Sequence, residues 1–391
     1  MQFVFINTGT KRQNAGIIRC LGLGTGLIRS GHRVTILLPG LPENLQNYGS
    51  NYHGVDFIYT HRGMFREVWD KLLAIRSFNK IDAIHCMGSD PQIFLPAWIC
   101  HLFARKNYLL VIDYEDKQHL LVPPGRRILH QLLTWLSLKF SDLIFCASRL
   151  LAAEYAGSSP GKTHYLPMGF EPSSCFSVAE PLHLAQRTPK NPKIGYLGNL
   201  ILPYQDQMAF LIESFLEIQP EYPSIECHIV GDGPLRAAYE KMIIEKGLSG
   251  CFIFHGFVKD ADLLPLLSGM DALVFPFSDI PLNQFRCPNK VFLYAQTGLP
   301  IVTNPVGEVY HLLRAYPNTH FFKQGCSGSF AHAVKAALAN PPVTDGLHTF
   351  YKQNSWRIRS DEYLGKVCGK LFSDKPPSLS AVEHLHEKHR F

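Results

Sequence analysis

Charge is scarce in this chain. Charged residues make up 18% of its 391 residues and hydrophobic residues 46%, against a usual charged share of about 25%. That balance excludes a disordered or fibrous chain. The ten cysteines are scattered singly and no CxxC pair occurs, which argues against a zinc ribbon or a redox dithiol. Several lie inside apolar runs, such as Cys86 and Cys146. They read as buried, reduced thiols suited to a reducing compartment. No uncharged apolar stretch of about 20 residues is present, so no spanning helix is expected. The richest stretch, residues 128–146, is interrupted by His130, Lys139 and Asp142. The opening MQFVFINTGTKRQN lacks a basic start followed by an apolar core, and reads as a strand rather than a signal peptide. No GxGxxG opens a helix, which disfavours a Rossmann dehydrogenase. No stacking platform or recognition motif accompanies the basic residues, so nucleic acid is not an expected partner.

What is present is a regular alternation. Apolar strand-like runs at 3–6, 34–38, 56–59, 83–86, 109–112 and 143–146 are separated by helical stretches near 16–30, 63–78, 91–104 and 124–140. Strands that are apolar throughout, with helices between them, signal a parallel sheet covered on both faces. The pattern breaks in a proline-rich stretch containing Pro167, Pro172, Pro181 and Pro189, then restarts at Lys193. Length alone favours two or three domains at about 100–200 residues each. The expected organisation is an α/β chain of two doubly wound domains, 1–170 and 192–350. A linker at 171–191 joins them, a helix follows at 351–372, and a polar tail runs over 373–391. In such sheets ligands bind outside the carboxyl ends of strands, and the cleft between two such domains is the expected site.

Four segments lie at such strand ends. The small-residue loop Gly9–Gly16 opens a helix, where backbone N–H groups and the helix N-terminus favour an anion; an ordinary βα turn is the alternative. The run Gly22-Leu23-Gly24-Thr25-Gly26 sits inside that helix, so close helix packing is expected there. Asp113, Glu115 and Asp116 follow the strand at 109–112. Clustered carboxylates repel unless something compensates, so they read either as a catalytic or sugar-binding edge or as a solvated loop. The segment 276–290 ends in a helix with Pro288 expected at its first position. Arg286 and Lys290 flank that start and suit a diphosphate. After a later strand, Glu308 in Asn304–Val309 accepts from hydroxyls or caps the next helix.

The order of these segments resembles the retaining GT-B glycosyltransferases of family four. The resemblance is carried by Ser30-Gly31-His32-Arg33-Val34, Tyr165–Glu171, Tyr196-Leu197-Gly198-Asn199-Leu200, Ile229–Pro234, Phe254-His255-Gly256-Phe257-Val258, Asp271–Pro276, Pro288–Pro300 and Gly307-Glu308. It implies two Rossmann-like domains and a nucleotide-diphosphate sugar as donor substrate. It further implies transfer with retention to a glycan, lipid-linked or small-molecule acceptor, with no cofactor and no metal. The donor is expected at Gly16, Gly198, Asn199, Phe257, Val258, Arg286, Asn289, Lys290, Gly307 and Glu308. The catalytic set is expected among Asp113, Glu115, Asp116, Arg286 and Lys290. Two family glutamates are replaced, by Phe285 and Leu293, and the basic pair near 199–206 is absent. These departures keep open a non-catalytic partner of another glycosyltransferase, and the shared layout keeps open a sugar-nucleotide epimerase.

The charge is unevenly divided. Residues 1–170 hold 18 basic and 11 acidic residues, whereas 171–391 hold 20 and 21. Two helical stretches concentrate the surplus. One carries Arg62, Arg66, Lys71, Arg76 and Lys80 beside Phe65, Trp69, Leu72 and Leu73. The other carries Arg126, Arg127, His130 and Lys139 beside Ile128, Leu129, Leu132, Leu133, Trp135 and Leu136. Their apolar stripes are expected to pack on the sheet, leaving a basic face for an anionic membrane surface. The expected location is cytoplasmic, or peripheral on the inner face of the membrane.

Overall fold

The computed structural model describes residues 1–9, 16–103, 108–171, 191–201, 205–340 and 342–372, without the side chains of Gln205 and Asp206. The interior of the first βα loop, the linker residues 172–190, the tail 373–391 and the 205–206 side chains, all named above, lie outside the described residues. The chain divides into two compact units, Met1–Gly169 with Trp356–Phe391, and Phe170–Ser355.

Unit one is built on strands β1 (Gln2–Ile6), β2 (Arg33–Pro39), β3 (Asn51–Tyr52), β4 (Val55–Thr60), β5 (Ala83–Met87), β6 (Leu109–Tyr114), β7 (Leu143–Cys146) and β8 (Thr163–Tyr165). They form one sheet in the order β3-β4-β2-β1-β5-β6-β7-β8. The pairings are parallel except for the β3–β4 hairpin. Helices α1 (Gly16–Arg29) and α2 (Pro42–Tyr48) connect strands stepping one way from β1. Helices α3 (Met64–Ser77), α4 (Pro91–Phe103), α5 (Pro124–Phe140) and α6 (Arg149–Ser158) connect strands stepping the other way. Right-handed crossovers therefore put α3 to α6 in one layer and α1 and α2 in the other.

Unit two runs β9 (Lys193–Leu197), α7 (Gln205–Ile218), β10 (Glu226–Val230), α8 (Arg236–Glu245), β11 (Phe252–Gly256), α9 (Asp260–Ser268) and β12 (Ala272–Phe275). It continues with α10 (Pro281–Gln284), α11 (Asn289–Gln296), β13 (Ile301–Thr303), α12 (Gly307–Leu313), β14 (Thr319–Phe321), α13 (Ser327–Ala339) and α14 (Leu347–Gln353). Its parallel sheet has the order β11-β10-β9-β12-β13-β14. The strand order reverses between β9 and β12. Ile194, Tyr196, Cys227 and Val274 of the sheet pack with Leu211, Phe215, Phe330 and Val334 of α7 and α13. One detail differs from the sequence reading: Pro288 is the N-cap of α11, with an extended ψ of 128°, rather than its first residue. Proline's fixed φ suits either position, and here its carbonyl accepts the first helical bond, from the Val291 N–H at 3.2 Å.

The last helix, α15 (Trp356–Phe372), packs on α1 in unit one. A Cβ at Gly22 would lie 2.1 Å from the Trp356 ring, and one at Gly26 would lie 2.0 Å from Ser360 Oγ. The glycine run is thus a bare surface on which α15 seats. Beneath it, Arg19 and Asp113 are both fully buried, with Nε 2.6 Å from Oδ2. Arg19 also donates to the carbonyls of Leu166 at 2.8 Å and Pro167 at 3.1 Å. His85 Nε2 lies 3.1 Å from the same carboxylate, and its Nδ1 lies 3.1 Å from the Tyr363 hydroxyl of α15. Burial by itself would raise the Asp113 carboxyl, but Arg19 and His85 outweigh it and hold it below the usual carboxylate range.

Breaking this pair strands a buried charge, so Arg19→Leu should cost about 3–5 kcal/mol of stability, and Arg19→Leu with Asp113→Leu should cost less than Arg19→Leu alone. Chemical unfolding of the two variants checks this. Because the folded carboxyl is depressed, its contribution is complete above the unfolded value of about 3.9 and is lost as pH falls through the folded one. Thermal unfolding of Asp113→Asn should therefore show a shallower acid limb than the parent, together with lower stability at neutral pH.

Candidate functional site

In unit two the strand ends around the reversal hold most of the expected donor residues. Strands β9 and β12 pair only at Ile194–Ala272 and Gly195–Leu273, then diverge toward their carboxyl ends. Diverging strands leave backbone groups without ladder partners, and such groups must find others. The N–H of Leu197 donates to the Tyr294 hydroxyl at 2.7 Å, and that hydroxyl donates to the Val274 carbonyl at 3.3 Å. The carbonyl of Leu197 accepts from Lys290 Nζ at 2.9 Å. Lys290 and Tyr294 are four apart on α11, so they share one face and fill the fork together. The Lys290 ammonium sits 4.6 Å above the Phe275 ring and 5.5 Å from that of Tyr196. Burial, with Arg286 adding repulsion, pushes it down to about 7.

Gly198 and Asn199 follow directly at the end of β9, and the neighbouring loop crosses them at backbone distance. A Cβ on Gly231 would lie 2.1 Å from the Gly198 carbonyl, and one on Gly233 would lie 2.3 Å from that of Leu200. Phe257 is exposed and Val258 half-buried just beyond β11. The loop after β12 is clamped by the buried Asn304, whose Oδ1 accepts from the Phe277 N–H at 2.7 Å and whose Nδ2 donates to the Phe277 carbonyl at 2.6 Å. Gly307 starts α12 at φ 49°, where a Cβ would strike the Gln284 carbonyl at 2.6 Å. Glu308 is buried in the first turn of α12. Asn289 and Arg286 are half-buried beside the start of α11, as are Phe285 and Leu293. Lys290 is thereby brought beside Arg286 and to the edge of Gly198. Tyr294 and Asn304, which hold the fork and the loop, were missed as site residues; the i, i+4 spacing of Lys290 and Tyr294 was the available signal.

In unit one the carboxylate row splits. Asp113 points into the core and serves Arg19 and His85, which corrects its reading as part of an exposed edge. It is the last inward position but one of β6, where the strand is still buried. Glu115 and Asp116 lie past the strand and are half-buried; the Glu115 charge is felt at Cys20 of α1. Gly16, buried, is the first residue of α1.

The reversal of this sheet, between β1 and β5, carries a second set of polar groups. Lys71 Nζ lies 2.6 Å from Glu67 Oε1 and donates to the Asn7 carbonyl at 2.9 Å and the Gln92 carbonyl at 3.1 Å. Thr8 donates to the same Glu67 oxygen at 3.0 Å. Burial lowers the Lys71 ammonium, with Glu67 opposing. Nearby, His130 Nδ1 stands 3.4 Å from Asp90 Oδ1. Burial raises the Asp90 carboxyl, with His130 and Lys71 opposing. A separate groove of about 550 Å³ between α5 and α6 is bordered by Lys117, Trp135, Lys139, Glu154 and Lys162. Among the described residues no cluster of three or more metal-ligating side chains occurs.

Residues 191–340 match the family model described as glycosyl transferases group 1. An uncharacterized glycosyltransferase of Methanocaldococcus jannaschii is 24% identical over 370 residues, covering 87% of this chain and 90% of that protein. The sucrose-phosphate synthase structure from Thermosynechococcus elongatus superposes with a TM-score of 0.73 at 15% identity, over 95% of this chain and 99% of that one. Anabaena HepE, solved in complex with UDP, gives a TM-score of 0.69 at 17% identity, over 94% and 100%. The fold is that of the GT-B glycosyltransferases, with parallel α/β sheets consistent with two Rossmann-like domains. Together the family match and the relatives support glycosyl transfer as the general activity.

Lys290 offers a direct test of the unit-two site. With its ammonium near 7, the cationic form dominates below neutrality and is lost above it. A nucleoside diphosphate held here, as Arg286 and Lys290 were expected to hold one, would bind more weakly as pH rises from 6 to 9, by up to about tenfold per pH unit until the bound-state value is reached. Calorimetry on Lys290→Met should show weaker binding with that pH dependence flattened.

Proposed function

We propose that the chain transfers a sugar from a nucleotide-diphosphate sugar to a glycan, lipid-linked or small-molecule acceptor, with retention and without a resident metal or cofactor. The observation that carries this reading is the Lys290–Arg286 pair at the fork between β9 and β12. It is a place where parallel α/β sheets bind ligands, and it is supplied with two cations. Departure of a nucleoside diphosphate develops negative charge, and fixed cations with nearby backbone N–H groups stabilise it most where water is excluded. A bound diphosphate favours the protonated form of Lys290, so donor binding itself would charge this group. Gly198 and Asn199 would lie against the phosphates, Phe257 and Val258 against the base, and Asn289, Gly307 and Glu308 against the remainder of the donor. That HepE has been solved with UDP and with UDP-glucose supports a donor of this class.

In this reading Glu115 and Asp116 serve the acceptor side in unit one, and Gly16 at the start of α1 lies near the donor phosphate. Asp113 serves them only through the shape of α1 and β6. The comparisons do not favour the epimerase or the non-catalytic partner.

The test is a panel of nucleotide sugars with mass-spectrometric product analysis. Arg286→Ala and Lys290→Ala should each weaken donor binding by about tenfold or more, the value of a charge-assisted contact. Absence of binding to every nucleoside diphosphate tried would overturn the reading, and binding without turnover on any acceptor would point instead to a non-catalytic role.

A further inference from the structure

The outer faces of α3 and α5 are apolar where a covering helix is usually polar. Phe65 is 82% exposed and Trp69 61%, with Leu73 beside them; Ile128 is 79% exposed and Trp135 54%, with Leu132 between. On each helix these residues recur every three or four positions and so form one continuous stripe. The stripes were expected to face the sheet. Leu72 of α3 and Leu133 of α5 do face inward, but the rest stay outside, because the inward faces also carry polar groups committed to strand ends. Glu67 and Lys71 face in from α3, while His130, Thr134 and Ser137 face in from α5. Ser137 and the Tyr114 hydroxyl lie 2.5 Å apart, and Lys71 holds the Asn7 carbonyl. With the sheet side so occupied, the largest apolar side chains are left outside.

Helix α4 touches both α3 and α5, so the two stripes belong to one layer of unit one. Each stripe has cations at both ends: Arg66 and Arg76 on α3 with Arg62 just before it, and Arg126, Arg127 and Lys139 on α5, all exposed. Lys139 Nζ lies 5.0 Å from the Trp135 ring. The acidic side chains of α3 are engaged elsewhere, Glu67 by Lys71 and Asp70 by His61 at 2.9 Å; α5 has no acidic residue. Two copies of this face would meet with basic rims opposed, which disfavours self-association. An anionic bilayer complements it: aromatic rings sit at the headgroup boundary, and the long cationic side chains reach the phosphates.

We propose that unit one docks on anionic membranes through the α3–α5 face, with Phe65, Trp69, Ile128 and Trp135 entering the interface and the flanking arginines and Lys139 meeting lipid phosphates. The surface carries out this docking whatever sugar or acceptor the chain uses.

The experiment is flotation of the full chain with vesicles of phosphatidylcholine alone and of phosphatidylcholine mixed with phosphatidylglycerol. Sedimentation without lipid accompanies it. The chain should float with the anionic vesicles, with a blue shift of tryptophan emission. Trp69→Ser with Trp135→Ser should lower partitioning by about tenfold or more, as should Arg66→Glu with Arg76→Glu, Arg126→Glu and Arg127→Glu. Both sets alter exposed positions, so the unfolding midpoint should hold. Absence of flotation at low salt would overturn the proposal, as would binding unaffected by both sets. A lipid-free dimer dissolved by the tryptophan variants would overturn it in favour of a second copy on this face.

Discussion

The architecture of unit one turns on a charge that has nowhere else to go. Arg19 is fully buried on α1, and a buried guanidinium persists only where an anion and further acceptors surround it. Asp113 supplies the anion, and the carbonyls of Leu166 and Pro167 supply the acceptors. One side chain therefore fixes the first helix, the end of β6 and the segment by which the chain leaves the unit at Gly169. His85 extends the set to Tyr363, and so to the helix by which the chain re-enters at Trp356. The glycines of α1 complete the arrangement, since α15 can approach Asp113's neighbours only over a surface without side chains.

The same rule operates in unit two with the opposite consequence. Where β9 and β12 part, the unsatisfied groups of Leu197 are met by side chains rather than by a third strand. Tyr294 takes the N–H and Lys290 the carbonyl. A lysine held by one carbonyl and two ring faces has no carboxylate paired with it among the described residues, and Arg286 adds repulsion. The result is a lysine at the strand ends whose ammonium is lowered by burial and whose cationic form a bound anion would favour. In unit one the equivalent lysine, Lys71, is closed onto Glu67, and its charge is spent on the fold.

The layering was legible because strand and helix periods are local properties. Apolar runs of four or five residues bounded by helical stretches gave every long strand of the first sheet, and the glycine run gave its packing role. The short helices α10 and α14 were not separable from loop and neighbouring helix, since four to seven residues carry too little of a helical period. Asp113 shows where such reading stops. Its position after an apolar run is compatible with both an exposed edge and a core ion pair. Only the arrival of Arg19, ninety-four residues away, decides between them. Lys290 and Arg286 were visible as cations beside a helix start, whereas the Leu197 carbonyl that orients Lys290 belongs to a strand far away in sequence.

The basic surplus of the first half is explained by the same partition of inside from outside. A covering helix has one face for the sheet, and α3 and α5 divide that face between apolar residues such as Leu72 and Leu133 and the polar Glu67, Lys71, His130 and Ser137, because the strand ends beneath them present polar groups. Apolar side chains that would otherwise fill the core are displaced to the outer surface. There they cost solubility unless something covers them. The arginines at the ends of each stripe cannot relieve that cost by themselves, but they define what the cover must be. It must be apolar in depth and anionic at its boundary, a combination that a charged lipid surface offers and a second basic copy does not. Polar demand at the strand ends and the basic, aromatic exterior are thus two sides of one allocation of residues along the same helices.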